Sequence, residues 1–159
     1  MTSQHHSVAL QLRPASLDDA ELLFSWRNDP ATRSASHHSE ELVFDEHVRW
    51  LKSTLENDKR KLYVAVFNDE PVGSVRADQE EAGYELSWTV APSARGKGFG
   101  SVMVRMLAEL LRSPVRAEIK EGNMASVKIA EFAGMRFQMK RDNVLHYSLS
   151  PEVEVSASK

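Results

Sequence analysis

The chain has 159 residues, 42% hydrophobic and 27% charged, with a net charge of −3 at pH 7. That length and composition suit one globular domain and exclude a disordered chain, and the near-balanced charge gives no pull toward nucleic acid or an anionic membrane. There is no cysteine, which removes disulfides, thiolate nucleophiles and cysteine-ligated zinc and is compatible with the cytoplasm.

Residues 1–7 are polar and do not read as a signal peptide, and no run of about 18 apolar residues exists to span a membrane. Residues 8–13 alternate in polarity as a strand, stopped by Pro14. Ser16, followed by Asp18 and Asp19, is a helix start: a serine cap with acid in the first turn. This helix runs to about Arg27 with Ala20, Leu23, Phe24 and Trp26 on its apolar side, and Asn28-Asp29-Pro30 ends it. Residues 31–41 are polar, carry His37 and His38, and read as a loop or irregular helix. A second helix covers about 44–55, with Val48, Leu51 and Leu55 at helical spacing and His47 and Trp50 as neighbours on its surface.

Residues 62–67 and 71–77 make a hairpin about a turn at 68–70, and a polar turn at 78–83 leads into a strand at 84–90. Beyond a glycine-rich stretch come a helix at 102–112, a strand at 115–119, a helix at 123–133 stopped by Gly134, and strands at 135–139 and 144–149. Residues 151–159, like 1–7, read as a loose tail on a single domain spanning 1–159. The expectation is an α/β (α+β) fold: a mixed, mostly antiparallel sheet of about seven strands flanked by about four helices.

The stretch between the strand at 84–90 and the next helix holds Arg95-Gly96-Lys97-Gly98-Phe99-Gly100-Ser101. Strand, glycine-rich cationic turn and helix start together make an anion site. The first helical N–H groups lack internal partners, the helix dipole is positive there, and glycines let a ligand approach the backbone. A nucleoside-triphosphate loop would need G-x-x-x-x-G-K-S/T, and here Lys97 sits between glycines. A dinucleotide loop would need G-x-G-x-x-G. Gly96 and Gly98 fit it, but the sixth position is Ser101; three antiparallel strands precede the loop, and too few residues follow for the repeated βαβ units. Glu118, about twenty residues on, keeps that reading open, as does a purely structural loop.

The sequence Arg95 to Gly100 resembles the R/Q-x-x-G-x-G/A loop of the GNAT family of N-acetyltransferases. The likeness covers nearly the whole chain: the strand order, the Pro71-Val72-Gly73 return of the hairpin, and Asn123-Met124-Ala125-Ser126 with Gly134 eleven residues after Asn123. It implies a GNAT fold binding acetyl-CoA as cosubstrate where the fourth and fifth strands splay apart. By the same resemblance, pantetheine pairs with the backbone of Trp88, Thr89 and Val90. The pyrophosphate lies on Arg95, Gly96, Lys97, Gly98, Phe99, Gly100 and Ser101, with Asn123 and Ser126 beside it. Splayed strands suit such a ligand, because their unpaired N–H and C=O groups match its amides.

Acetyl transfer to an amine needs a base, a polarised carbonyl and a tolerable leaving thiolate. Glu85 is the candidate base, directly or through water, and should project from the face opposite Tyr84, Leu86, Trp88 and Val90; a solvated strand glutamate is the plainer alternative. A strand N–H near Val90 is the candidate oxyanion donor. Many family members carry a tyrosine acid seven residues after the motif asparagine, but here that residue is Ala130. Tyr147 or water is the candidate substitute. A leaving thiol of ordinary pKa needs little help, costing about 2 kcal/mol at neutral pH.

For the acceptor, Trp26-Arg27-Asn28 and His47 with Trp50 resemble a GNAT branch acting on amines of nucleotide-linked amino sugars; related spacing occurs in ribosomal-protein N-terminal acetyltransferases. An aromatic wall, a cation and an amide suit a sugar nucleotide, though the tryptophans are equally core candidates. The expected partner is thus a small-molecule amine, with a protein N-terminus as the alternative and a homodimer left open. A non-catalytic acyl-CoA-binding module is the reading favoured by Ala130. His37, His38 and His47 raise the question of a metal, but no supporting carboxylate pattern accompanies them and none is expected.

Overall fold

The computed structural model describes residues 9–37 and 39–151. Of the tails expected at 1–7 and 151–159, residues 1–7 and 152–159 lie outside the described residues, as do His38 and Val8, the first residue of the strand expected at 8–13. Seven strands form one sheet in the order β1-β2-β3-β4-β5-β7-β6. They are β1 (Gln11–Pro14), β2 (Arg60–Phe67), β3 (Glu70–Glu80), β4 (Gly83–Val90), β5 (Val115–Lys120), β6 (Arg136–Arg141) and β7 (Val144–Leu149). Every neighbouring pair is antiparallel except β4 with β5. Five α-helices flank it: α1 (Ala20–Arg27), α2 (Pro30–Ala35), α3 (Phe44–Glu56), α4 (Phe99–Leu111) and α5 (Met124–Phe132). The α/β expectation of a mixed, mostly antiparallel seven-stranded sheet holds, with one helix more than anticipated.

The additional helix, α2, occupies the polar stretch expected to be a loop or irregular helix. Its start is chemically simple. The same Asp29-Pro30 that ends α1 begins α2, with Asp29 Oδ2 accepting from Thr32 N at 3.1 Å and Pro30 in the first turn. Proline is tolerated there because its missing N–H would have had no helical partner. The start ahead of α1 agrees with expectation: Ser16 Oγ accepts from Asp18 N at 3.2 Å and Asp19 Oδ2 accepts from Ser16 N at 2.8 Å.

One boundary moves, and one helix buries other residues than its spacing suggests. The polar turn expected at 78–83 is mostly strand: β3 runs on to Glu80, Asp78 pairs with Glu85 and Glu80 with Gly83. Asp78 and Glu80 are polar because one face of β3 bonds to arginines, while the alternate residues Val75 and Ala77 are buried. In α3 the buried positions are His47, Leu51 and Thr54, while Leu55 is exposed and Val48 half-buried. A polar histidine takes a core place here because both its ring nitrogens are bonded, as described below.

Helices α4 and α5 cover one face of the sheet and α1 to α3 the other. Met103, Val104 and Leu107 of α4 are buried against strands whose residues on that face include Ala65, Val75, Ala77 and Leu86. The core is continuous through both layers, so the strands that bear polar groups are held on a rigid frame.

Candidate active site

Strands β4 and β5 pair only at Tyr84 with Val115 and Glu85 with Arg116. Beyond that point they diverge: residues 86–90 keep β3 on one side and have no strand on the other, while β5 turns to β7 along its whole length. The open edge of β4 leads directly into the glycine loop. Gly96 (φ +77°) and Gly98 (φ +84°) adopt left-handed backbone, and a Cβ at either would meet nothing within 4 Å. These two glycines hold a turn that other residues adopt at a cost of about 1–2 kcal/mol. They also leave the space above it clear.

Gly100 is a different case. A Cβ there would fall 2.8 Å from Ile129 Cγ1 and 3.1 Å from Val90 Cγ2. It lets the first turn of α4 approach α5 and β4. Because α4 begins at Phe99, the N–H groups of Phe99, Gly100 and Ser101 are the helix's free donors, next to the open edge of β4. Lys97 is exposed beside them, and Phe99 packs on Phe67 with ring centroids 4.9 Å apart. A groove of about 640 Å³ adjoins the loop on its other side, lined by Leu10, Phe67, Lys97, Phe99, Val102 and Met106 among others.

Several predicted ligand contacts carry local bonds. Arg95 Nη2 donates to Asp29 Oδ2 and to Thr32 Oγ1, both at 2.8 Å, tying the loop to the start of α2. This holds the Asp29 carboxyl below its ordinary range. Asn123 caps α5, its Oδ1 accepting from Ser126 N at 3.2 Å, and its Nδ2 donates to Ala35 O at 3.4 Å. Ser126 Oγ lies 3.3 Å from Trp88 Nε1, which donates to it. With Lys120 Nζ on Ser34 O at 3.1 Å and His37 Nε2 3.4 Å from Glu118 O, α2 and the residues after it span the mouth of the gap. One end binds the β4–α4 loop and the other binds β5 and the start of α5. Nothing in the polar composition of residues 31–41 announces this strap.

On the α1–α3 face of the sheet Glu85 stands opposite in direction to Trp88, as strand alternation requires. It is half-buried, 3.6 Å from Arg116 Nη2. Arg116 is held more tightly by two other acids: its Nε lies 2.8 Å from both oxygens of Glu80, and its Nη1 lies 2.6 Å from Glu118 Oε2. Burial raises the pKa of Glu85; Arg116 opposes this, and the carboxylates of Glu118, Glu80 and Asp78 add to it. A carboxylate so placed takes a proton more readily than a free glutamate does. Arg76, Glu80 and Arg116 are residues of this candidate site that sequence reasoning missed, and Glu118, singled out there only for a dinucleotide loop, joins them. Their signal is the two-residue period Arg76, Asp78, Glu80 and Arg116, Glu118, alternating with the apolar Val75, Ala77, Val115, Ala117 and Ile119.

Tyr147 does not join Glu85. It is buried at 4% exposure, stands opposite Ala117, and meets Phe137 edge-on with centroids 5.7 Å apart. It faces the α5 layer, on the other side of the sheet from Glu85, and burial pushes its phenol pKa up. Tyr147 thus packs with Phe137 on the α5 side of the sheet and is not brought together with Glu85. Ala130 is fully buried on the inner side of α5, and an alanine carries no acid at that position.

The acceptor group also divides. Trp26 is 6% exposed and belongs to the core, so it is corrected from a ligand contact to a packing residue. His47 is 2% exposed. Its Nε2 lies 3.0 Å from Ala20 O and its Nδ1 3.0 Å from Arg27 Nη1. A carbonyl only accepts, so Nε2 carries the hydrogen and Nδ1 accepts from Arg27; burial, with Arg27 beside it, lowers the pKa and keeps the ring neutral. His47 is a buried pin between α1 and α3, not an exposed ligand. Asn28 Oδ1 accepts from Leu42 N at 2.9 Å and fastens the segment before α3. Arg27 and Trp50 remain half-buried at the cleft, the guanidinium 4.0 Å above the indole. Among the described residues no three His, Cys, Asp or Glu side chains stand together as a metal site, and no helix is long and apolar enough to cross a membrane.

The sequence profile described as "Acetyltransferase (GNAT) domain" matches residues 9–136. The chain belongs to the GNAT acetyltransferase family. No curated protein matches it. Among solved structures, a domain from Methanocaldococcus jannaschii DSM 2661 is 25% identical with a TM-score of 0.80, the alignment covering 89% of this chain and 97% of that one. The aminoglycoside acetyltransferase AAC(6')-Ib, in complex with ribostamycin and coenzyme A, is 21% identical, TM-score 0.77, covering 94% and 98%. RimL, a ribosomal L7/L12 α-N-protein acetyltransferase in complex with coenzyme A, is 15% identical, TM-score 0.80, covering 91% and 96%. Fold and family are thereby fixed.

Proposed function

We propose that this GNAT acetyltransferase uses acetyl-CoA to acetylate a primary amine of a small molecule. The observation that carries the reading is the continuity of three features: the unpaired edge of β4, the open left-handed glycines, and Glu85 on the face away from α4 and α5. The residues present fit coenzyme A. The edge of residues 86–90 offers backbone groups to pantetheine's amides, and the N–H groups of Phe99, Gly100 and Ser101, with Lys97, face an anion such as its pyrophosphate. Gly96 and Gly98 leave the approach open. Acetyl-CoA, when bound, supplies the thioester carbonyl that the amine attacks.

Glu85 accepts the proton the amine must lose, directly or through one water. Its raised pKa brings it closer to neutral pH, and Arg116 at 3.6 Å keeps the carboxylate oriented without neutralising it outright. No side chain is needed to protonate the departing thiolate, since leaving unprotonated costs only about 2 kcal/mol at pH 7. A small-molecule amine is favoured by the half-buried Arg27 stacked on Trp50 on the same face of the sheet as Glu85, and the branch acting on nucleotide-linked amino sugars is the specific expectation.

The test is a thiol-release assay with acetyl-CoA against amino sugars, nucleotide-linked amino sugars and N-terminal peptides. The small amines should turn over and the peptides should not. Preferred turnover of peptides would transfer the reading to protein N-termini, and acetyl-CoA binding without turnover would make the chain a binding module. Glu85→Gln should lower kcat about 100-fold. In the wild type kcat/KM should fall as pH drops through the raised Glu85 pKa, and this limb should vanish in the variant. The loss would not be unfolding: a carboxyl whose folded pKa is raised costs stability above its unfolded value, so a neutral glutamine should not lower Tm at pH 7. Unaltered kcat would remove Glu85 as the base.

A further inference from the structure

The cleft on the α1–α3 face has two poles of opposite charge. At one end Arg116 alone faces three carboxylates, Glu80 and Glu118 at 2.8 and 2.6 Å and Glu85 at 3.6 Å. At the other end two guanidiniums flank one indole: Arg27 lies 4.0 Å and Arg76 5.6 Å from the centroid of Trp50. The single carboxylate there, Asp78, holds Arg76 on both oxygens, Nε at 3.0 Å and Nη2 at 3.1 Å, and is shared with Arg60 at 3.6 Å, so Nη1 is the Arg76 donor left to a ligand. Arg27 takes part in none of the ion pairs among the described residues. Its polar partner is the neutral Nδ1 of His47.

A half-buried guanidinium without a counter-ion is expensive to keep. It cannot discharge, because its pKa lies far above neutral even though burial and the nearby Arg76 both lower it. Arg27 also helps hold the buried His47, but a neutral donor would serve that bond without the cost of a half-buried charge. A guanidinium on an aromatic face, with a second one beside it, is instead an arrangement that receives a planar or tetrahedral anion through paired N–H donors.

We infer that the acceptor amine carries an anionic group of its own, a phosphate or a carboxylate, which docks on Arg27 and Arg76 against Trp50 while the amine lies at Glu85. This rests on the reading of Glu85 as the base. The register gives the spacing. Arg76 pairs with Ser87 and Asp78 with Glu85, so the two poles are one two-residue step apart along β3, about 7 Å. An α-amino acid is too short to reach both. An amino sugar phosphate or an ω-amino acid has the right reach. A polyamine would put its second ammonium against Arg27 and Arg76 and is disfavoured.

The experiment compares, at saturating acetyl-CoA, three kinds of amine: glucosamine phosphate against glucosamine, γ-aminobutyrate against its amide, and ribostamycin as a polycation. One anionic member should show a KM at least tenfold below its neutral counterpart with kcat within about threefold, the size expected for one charge-assisted contact; which pair responds tells phosphate from carboxylate. Arg76→Gln and Arg27→Gln should each reduce that preference at least fivefold, and Arg27→Lys should retain most of it. Equal KM values within both pairs, a preference for ribostamycin, or a preference that survives both glutamine variants would overturn the inference. Equilibrium dialysis of glucosamine phosphate and γ-aminobutyrate against the CoA-saturated protein separates this from the catalytic reading. Binding lost in Arg76→Gln, with no turnover of any amine, would leave the anion site standing and remove the base. Turnover of neutral amines with no binding of either anion would do the reverse.

Discussion

The two faces of the sheet treat their polar groups in opposite ways. On the side of α4, around the loop from Arg95 to Ser101, backbone donors and space are left free: a Cβ at Gly96 or Gly98 would meet nothing within 4 Å, and α4 opens with uncapped N–H groups. On the side of α1 to α3 the side chains that look like ligand contacts are already bonded to each other. His47 spans Ala20 and Arg27, Asn28 holds Leu42, and Trp26 is core. A backbone site is written in residue types that have few other uses. A side-chain site is written in residues that are just as useful for holding helices together.

That contrast is broken most directly at His47. Replacing it by alanine opens a cavity and strands the Ala20 carbonyl, so His47→Ala should lose about 2–4 kcal/mol of unfolding free energy in urea denaturation. The KM for the amine should change little once the protein is folded. A raised KM with intact stability would return His47 to the acceptor site.

The glycines sharpen it on the other face. In Gly100→Ala the new methyl must displace Ile129, whose Cγ1 would lie only 2.8 Å away, and crowd Val90. It should cost about 1–3 kcal/mol of stability together with weaker coenzyme A binding. Gly98→Ala adds a methyl to empty space and carries only the left-handed backbone penalty, about 1–2 kcal/mol. Its effect should therefore appear mainly as a dissociation constant for coenzyme A raised about tenfold by calorimetry, with Tm lowered by a few degrees. Unchanged affinity in both variants would separate the loop from the cofactor.

Most of the architecture is legible in the sequence because hydrophobic periodicity and turn residues act locally. The hairpin at Asn68-Asp69, both at left-handed φ, and the glycine stop at Gly134 are examples. What is illegible depends on register or on contacts between distant segments. Arg116 meets Glu80 from 36 residues away, and only the pairing of β4 with β5 brings them together. The strap α2 is hidden for a related reason. Its short sequence has no apolar face, and it is held by hydrogen bonds to Arg95, Lys120 and Asn123 that no local pattern encodes. Tyr147 is hard to place from sequence because its residue type says nothing about which side of the sheet it faces.

The smallest effect lies where the two faces are joined. Arg95 is part of the loop on the cofactor side, yet its guanidinium is spent on Asp29 and Thr32 at the start of α2. An arginine engaged with a carboxylate is a weaker partner for a pyrophosphate, and the carboxylate itself repels that anion. Asp29→Asn keeps an oxygen to cap α2 through Thr32 N but removes the charge. The pair is open to solvent and screened by it, so stability should hardly move. Coenzyme A should bind about two- to fourfold tighter, with the gain shrinking as salt is raised and screening grows. If the variant instead binds more weakly at every salt concentration, Arg95 serves the cofactor by fixing the loop to α2, and the strap belongs to the cofactor site.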